Sequence, residues 1–110
     1  MPILYTENFK IDYTEDGIGQ TIILIHSSMS SNQQWKLLVN SLRERFHVLA
    51  INLFGYGQTS PWTGKSNQTL YDQAMLVIEL CSKFKYPISI VGHSFGGSVA
   101  IKLVAILRPQ

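Results

Sequence analysis

Three short apolar, β-branched runs alternate with segments of helical periodicity along this chain of 110 residues. Alternation of that kind points to an α/β fold: a mostly parallel sheet, helices on both faces, and right-handed crossovers between successive strands. A further observation concerns the N-terminus. Residues 9–15 alternate apolar and polar side chains, and Asp16-Gly17-Ile18-Gly19 follows as a turn-rich connection suited to an antiparallel hairpin. The length allows one small domain and not two.

Each element has its own warrant. Residues 21–25 (TIILI) are continuously apolar, the mark of a strand buried on both faces. Residues 47–52 (HVLAIN) and 87–91 (PISIV) read the same way. Between the first two runs, Trp35, Leu38, Val39, Leu42 and Phe46 recur at helical spacing, with Ser31 and Gln34 placed to form a capping box. A second stripe comprises Leu70, Ala74, Val77, Ile78, Cys81 and Phe84, and Thr69 with Asp72 offers another box at its start. The third helical segment, residues 94–107, is apolar on nearly every side and should be covered on nearly every side. Arg108-Pro109 marks its end, because the residue before proline disfavours helix.

Composition excludes several classes of function. Hydrophobic residues make up 45% and charged residues 15%, which rules out a disordered chain. A formal charge of +2 with no basic run gives no nucleic-acid surface. The lone Cys81 allows no internal disulfide. No apolar stretch approaches the roughly 18 residues of a membrane span, and the first ten residues lack the apolar core of a signal peptide. The expectation is a cytoplasmic protein with no membrane partner. No cysteine or histidine spacing suggests a metal site.

The unusual residues gather at the carboxyl ends of the expected strands, where parallel sheets collect their chemistry. Gly92-His93-Ser94-Phe95-Gly96-Gly97 directly follows PISIV and directly precedes the apolar helix. This is G-x-S-x-G in a strand–turn–helix setting, which holds the serine on a strained turn with its hydroxyl exposed. A Cβ at Gly92 or Gly96 would collide with neighbouring backbone, and Gly97 would let the helix pack close to the sheet. Acyl transfer also needs two N–H donors for the oxyanion. One comes from the residue after the nucleophile, here Phe95. The other comes from the loop after residues 21–25, His26-Ser27-Ser28-Met29, with Ser28 preferred and Ser27 or Met29 as alternatives. A third loop, residues 52–59 (NLFGYGQT), has the glycines of a tight turn beside the same strand ends, and Tyr56 is placed to line a pocket.

Together these segments resemble the N-terminal part of an α/β-hydrolase-fold enzyme. Residues 25–28 (IHSS) resemble the family's L-H-G-x strand end, and Trp35 sits where the first helix often begins with tryptophan. Residues 52–59 resemble D-x-x-G-x-G-x-S, and residues 92–97 resemble the G-H-S-x-G-G nucleophile elbow. Ser27 stands for the usual glycine, Asn52 for the usual aspartate and Thr59 for the usual serine. The resemblance implies that the 110 residues form the N-terminal part of one α/β-hydrolase domain, ending after the helix that follows the elbow. It implies a hydrolase with Ser94 as nucleophile, a small-molecule acyl substrate such as an ester or thioester, and no cofactor. Serine at 94 argues against the relatives that use an aspartate nucleophile, such as haloalkane dehalogenases and the related epoxide hydrolases.

The family order places an Asp or Glu and then a His after the nucleophile, but residues 95–110 contain none of these. The three upstream histidines suit the base poorly. His93 should point away from the Ser94 hydroxyl, His47 opens its strand at the wrong end, and His26 should organise loops. The strand at 87–91 would lie at an open edge, so the chain on its own should be marginal or aggregation-prone. A complementing polypeptide supplying the C-terminal half is therefore expected for activity. The alternatives are a non-catalytic fragment that binds a ligand or partner, or the product of a truncated gene.

Overall fold

The computed structural model describes residues 2–6, 9–62 and 67–107. Five strands form one sheet: β1 (Ile3–Tyr5), β2 (Lys10–Asp16), β3 (Gln20–Ile25), β4 (Phe46–Ile51) and β5 (Ile88–Gly92), in the spatial order β1-β2-β4-β3-β5. β4, β3 and β5 run parallel, and β1 and β2 complete one side antiparallel. The helices are α1 (Lys36–Leu42), entered through a 3-10 turn at Asn32–Trp35, then α2 (Leu70–Cys81) and α3 (Phe95–Leu107). α3 ends at Leu107. The Arg108-Pro109 stop signal lies outside the described residues.

The apolar run of β3 is continuous because both faces are covered. Ile23 and Ile25, with Leu49 and Ile51 of β4, pack against Leu76, Val77 and Leu80 of α2 and Val99 and Leu103 of α3. The alternate residues Ile22, Leu24, Val48 and Ala50 pack against Trp35, Val39 and Leu42 on the other face. α2 begins with the expected box: Thr69 Oγ1 accepts from Asp72 N–H, and the Asp72 carboxylate accepts from Thr69 N–H. Cys81 is buried against the sheet, and burial pushes its thiol up to about 11, so it stays protonated at neutral pH.

Three expectations need correction. The antiparallel hairpin is β1–β2, not a pairing of residues 9–15 with 21–25. Residues 16–19 carry the chain past β4, which lies between β2 and β3. Gly17, at φ 78°, passes so close to the 43–46 backbone that a Cβ would meet the Phe46 carbonyl oxygen. A glycine-rich connection thus served a crossing rather than a tight hairpin. Next, the helix over 35–46 is shorter than its apolar spacing: it starts as a 3-10 turn, and Phe46 already belongs to β4. Last, β5 is not buried on both faces. Ile88 and Ile90 reach the core, while Ser89 and Val91 are exposed.

Among the described residues, β5 pairs only with β3, so its outer edge is open. The adjoining surface of α3 is apolar and, against the expectation that this helix is covered on nearly every side, open, because among its described residues only Gly96, Val99 and Leu103 are buried: Ile101 is 76% and Val104 53% exposed. An unpaired strand edge beside an apolar surface templates self-association. Residues 1–110 expressed alone should therefore elute as oligomers or aggregate in size-exclusion chromatography with light scattering. Ile101→Lys with Val104→Glu should shift them toward monomer. A clean monomer with one cooperative thermal transition contradicts this.

Candidate active site

The carboxyl ends of β3, β4 and β5 bring three loops together. β5 leads into Ser94, which is exposed and sits at φ 55°, a left-handed conformation that costs a non-glycine residue free energy. The turn survives because its surroundings over-determine it. His93 N–H donates to the Ile25 carbonyl (3.1 Å), and Gly96 N–H donates to the His93 carbonyl (2.9 Å). A Cβ on Gly96 would collide with the carbonyl oxygens of Ile25 and His26, and one on Gly92 with the Gly96 carbonyl. Gly97 differs from expectation. A Cβ there would sit 3.5 Å from the Gly92 carbonyl oxygen, an ordinary contact, so its lack of a side chain is not a steric requirement.

Residues 26–29 face this elbow. Ser27 N–H donates to Gln34 Oε1 at 2.8 Å, and Met29 N–H donates to the Tyr56 hydroxyl at 3.0 Å. Among the described residues, Ser28 N–H has no partner, and neither does the N–H of Phe95 at the start of α3. Met29, like Ser94, adopts a left-handed conformation (φ 62°). The N–H of Ser27, an alternative oxyanion donor on sequence grounds, is thus engaged by Gln34, and that of Met29 by Tyr56. The expected Ser31–Gln34 capping box also fails on one side. Ser31 Oγ caps the 3-10 turn by accepting from Gln33 N–H, but the Gln34 side chain is drawn to Ser27 instead.

His26 is fully buried and joins two of the loops. Leu53 N–H donates to its Nε2 (3.1 Å), so the ring proton lies on Nδ1, which donates to the Ser27 carbonyl (2.8 Å). The Tyr56 ring packs edge-on against it at 4.7 Å. Burial lowers the His26 pKa below 6.5, partly offset by the bond to Ser27. The other histidines are also engaged. His93 Nδ1 lies 3.0 Å from Gln34 Nε2. His47 stands at the opposite end of the sheet, with Glu15 Oε2 at 2.6 Å and Thr21 Oγ1 at 2.9 Å.

The third loop is held by a buried polar network that sequence reasoning missed. Asn32 N–H donates to Asn52 Oδ1 (2.8 Å), which orients the amide so that Nδ2 donates to Asp12 Oδ2 (3.0 Å). The same carboxylate oxygen accepts from Gln58 N–H (2.9 Å). Thr59 Oγ1 donates to the Asn52 carbonyl (2.6 Å) and accepts from Asp12 N–H (2.9 Å). Buried Gln73 of α2 accepts from Phe54 N–H (3.2 Å). Asparagine at 52 therefore has a local cause: an aspartate there would set a second carboxylate against Asp12. Two clefts open elsewhere, one beside Asp16 and Lys36 and one beside Phe54 and Met75, and neither borders Ser94.

Among the described residues no helix is long and apolar enough to cross a membrane, and no group of three His, Cys, Asp or Glu could hold a metal ion.

Residues 17–110 match a family model described as the alpha/beta hydrolase fold. A soluble epoxide hydrolase of Corynebacterium sp. (strain C12) is 34% identical over 94 residues, covering 84% of this chain and 32% of that protein. A 2-hydroxy-6-oxo-6-(2'-aminophenyl)hexa-2,4-dienoic acid hydrolase of Metapseudomonas resinovorans is 28% identical over 101 residues, covering 89% of this chain and 34% of its own. Among solved structures, the epoxide hydrolase CorEH superposes with a TM-score of 0.88 at 27% identity, over 97% of this chain and 38% of that one. The chain thus spans about a third of the length of these relatives.

Two outcomes follow from this geometry. Asn52→Asp should destabilise the fold by about 1–3 kcal/mol at neutral pH, through carboxylate repulsion and a lost buried donor; chemical denaturation measures it, and unchanged stability contradicts the network. His26 binds fewer protons folded than unfolded, so its contribution is present above pH 6.5 and is lost as pH falls through its lower folded value. Thermal unfolding followed below pH 6.5 should show this loss, and His26→Gln should flatten that limb.

Proposed function

The chain belongs to the α/β-hydrolase fold family, and from that premise we propose that residues 1–110 are the nucleophile-bearing part of a serine hydrolase cleaving an ester, thioester or related carbonyl bond. One observation carries the reading. Ser94 is exposed at φ 55° between β5 and α3, on a turn that also presents the N–H of Phe95. The relatives are named for different substrates, an epoxide in one case and a dienoic acid in another. What they have in common with this chain is therefore the scaffold, and the chemistry is argued from serine at 94. An alkoxide suits acyl transfer, whereas a carboxylate suits attack on an epoxide.

In this reading Ser94 Oγ attacks the substrate carbonyl carbon, and the carbonyl π pair moves onto oxygen. The N–H groups of Phe95 and Ser28 donate to that oxyanion, and the positive end of α3 favours the charge. The Ser94 proton passes to a histidine outside these 110 residues, which returns it to the leaving group as the carbon–leaving-group bond breaks. Water then attacks the acyl-serine by the same route, releasing the acid and restoring Ser94. A carboxylate orients that histidine. Both groups come from polypeptide outside residues 1–110, on this chain or on a complementing one, because His26, His47 and His93 are bonded elsewhere. The same polypeptide covers the β5 edge and the apolar surface of α3. No metal or organic cofactor enters these steps.

The test uses the product of the complete reading frame that contains these 110 codons. Ser94→Ala should lower kcat for p-nitrophenyl butyrate by about 1,000-fold or more, with the fold intact by circular dichroism. A folded variant that keeps its activity contradicts the reading.

A further inference from the structure

Gln34 is exposed, yet its side chain is committed at both ends. Oε1 accepts from Ser27 N–H at 2.8 Å and from Ser27 Oγ at 3.2 Å, while Nε2 lies 3.0 Å from His93 Nδ1. The orientation of the amide follows from chemistry. A backbone N–H can only donate, so the atom facing Ser27 is the carbonyl oxygen. The NH2 group must then face His93, whose Nδ1 accepts, and the His93 proton lies on Nε2. One residue on the 3-10 turn therefore grips position 27, just before Ser28, and position 93, just before Ser94.

We propose that Gln34 is a positioning residue that sets the Ser28 N–H against Ser94 by bridging the residues immediately upstream of each. The assignment rests on the serine-hydrolase reading above. Other ties between the two loops lie further back. The backbone hydrogen bond, among the described residues, is His93 N–H to the Ile25 carbonyl, two residues short of Ser27, and the close packing of Gly96 reaches Ile25 and His26. The His26 ring holds the Ser27 carbonyl toward Leu53 rather than toward the elbow. Ser27 itself strengthens the bridge, since its hydroxyl adds a second donor to Oε1 that a glycine could not supply. An oxyanion donor contributes mainly in the transition state, so loosening it should act on turnover more than on substrate affinity.

The experiment again uses the product of the complete reading frame. Gln34→Leu, folded by circular dichroism, should lower kcat for p-nitrophenyl butyrate by about tenfold to a hundredfold with KM little changed. A second variant reads the bridge without relying on activity. In Gln34→Glu the carboxylate can only accept, so His93 should move its proton to Nδ1, visible in long-range ¹H–¹⁵N correlation spectra of the ring nitrogens. An unmoved His93 tautomer in that variant overturns the bridge. Activity abolished by Ser94→Ala but unmoved in folded Gln34→Leu overturns the positioning role while leaving the serine reading intact. Activity that survives Ser94→Ala overturns the reading and this assignment together.

Discussion

The site depends on how closely two stretches of backbone approach each other. The first turn of α3 lies against the end of β3, so near that a methyl on Gly96 would overlap the carbonyl oxygens of Ile25 and His26. That approach does two things at once. It seats α3 over the sheet through Val99 and Leu103, and it delivers Ser94 to the loop that follows β3. The left-handed backbone at Ser94 is the local consequence, and its cost is offset by burial of the helix and by the hydrogen bonds of His93 N–H to Ile25 and Gly96 N–H to His93. With the helix further away, Ser94 would not be brought up against the loop that follows β3.

The loops around Ser94 are rigid for reasons that begin in the sequence of neighbouring strands. Asp12 on β2 receives Asn52 and Gln58, His26 joins the ends of β3 and β4, and Tyr56 reaches back to Met29. These are bonds between different elements, so the loop conformations are set only once the sheet has formed. The N–H of Ser27 is engaged by Gln34 and that of Met29 by Tyr56, which leaves the N–H of Ser28 between them without a partner among the described residues. In the proposed mechanism, a donor held by its neighbours in this way would meet a developing charge without first reorganising.

How much of this was legible in the sequence depends on range. The apolar runs of β3 and β4 and the stripe of α2 were legible because their side chains meet the core at regular spacing, and the elbow was legible because Gly92, Ser94 and Gly96 obey a short-range steric rule. Strand pairing was not: residues 16–19 carry the same glycines whether the chain folds back on itself or crosses β4. Nor was the half-exposed face of β5, since Ser89 and Val91 differ from a buried pair only by what covers them. Among site residues, the turn at Ser94 was legible, and the structure shows it as a left-handed residue between β5 and α3, while the roles of Ser94, Phe95 and Ser28 belong to the proposed function. S-x-x-Q before an apolar stripe is a local signal and points Gln34 to a cap, whereas its actual partners lie 7 and 59 positions away.

The proposed function requires that Ser94 and the N–H groups of Phe95 and Ser28 act together on one carbonyl. A crystal structure of the complete reading-frame product after reaction with a fluorophosphonate tests it most directly. Phosphorus should be bonded to Ser94 Oγ, with the phosphonyl oxygen about 2.7–3.1 Å from the nitrogens of both Phe95 and Ser28. An adduct on another residue, or a phosphonyl oxygen held away from Ser28, would contradict it.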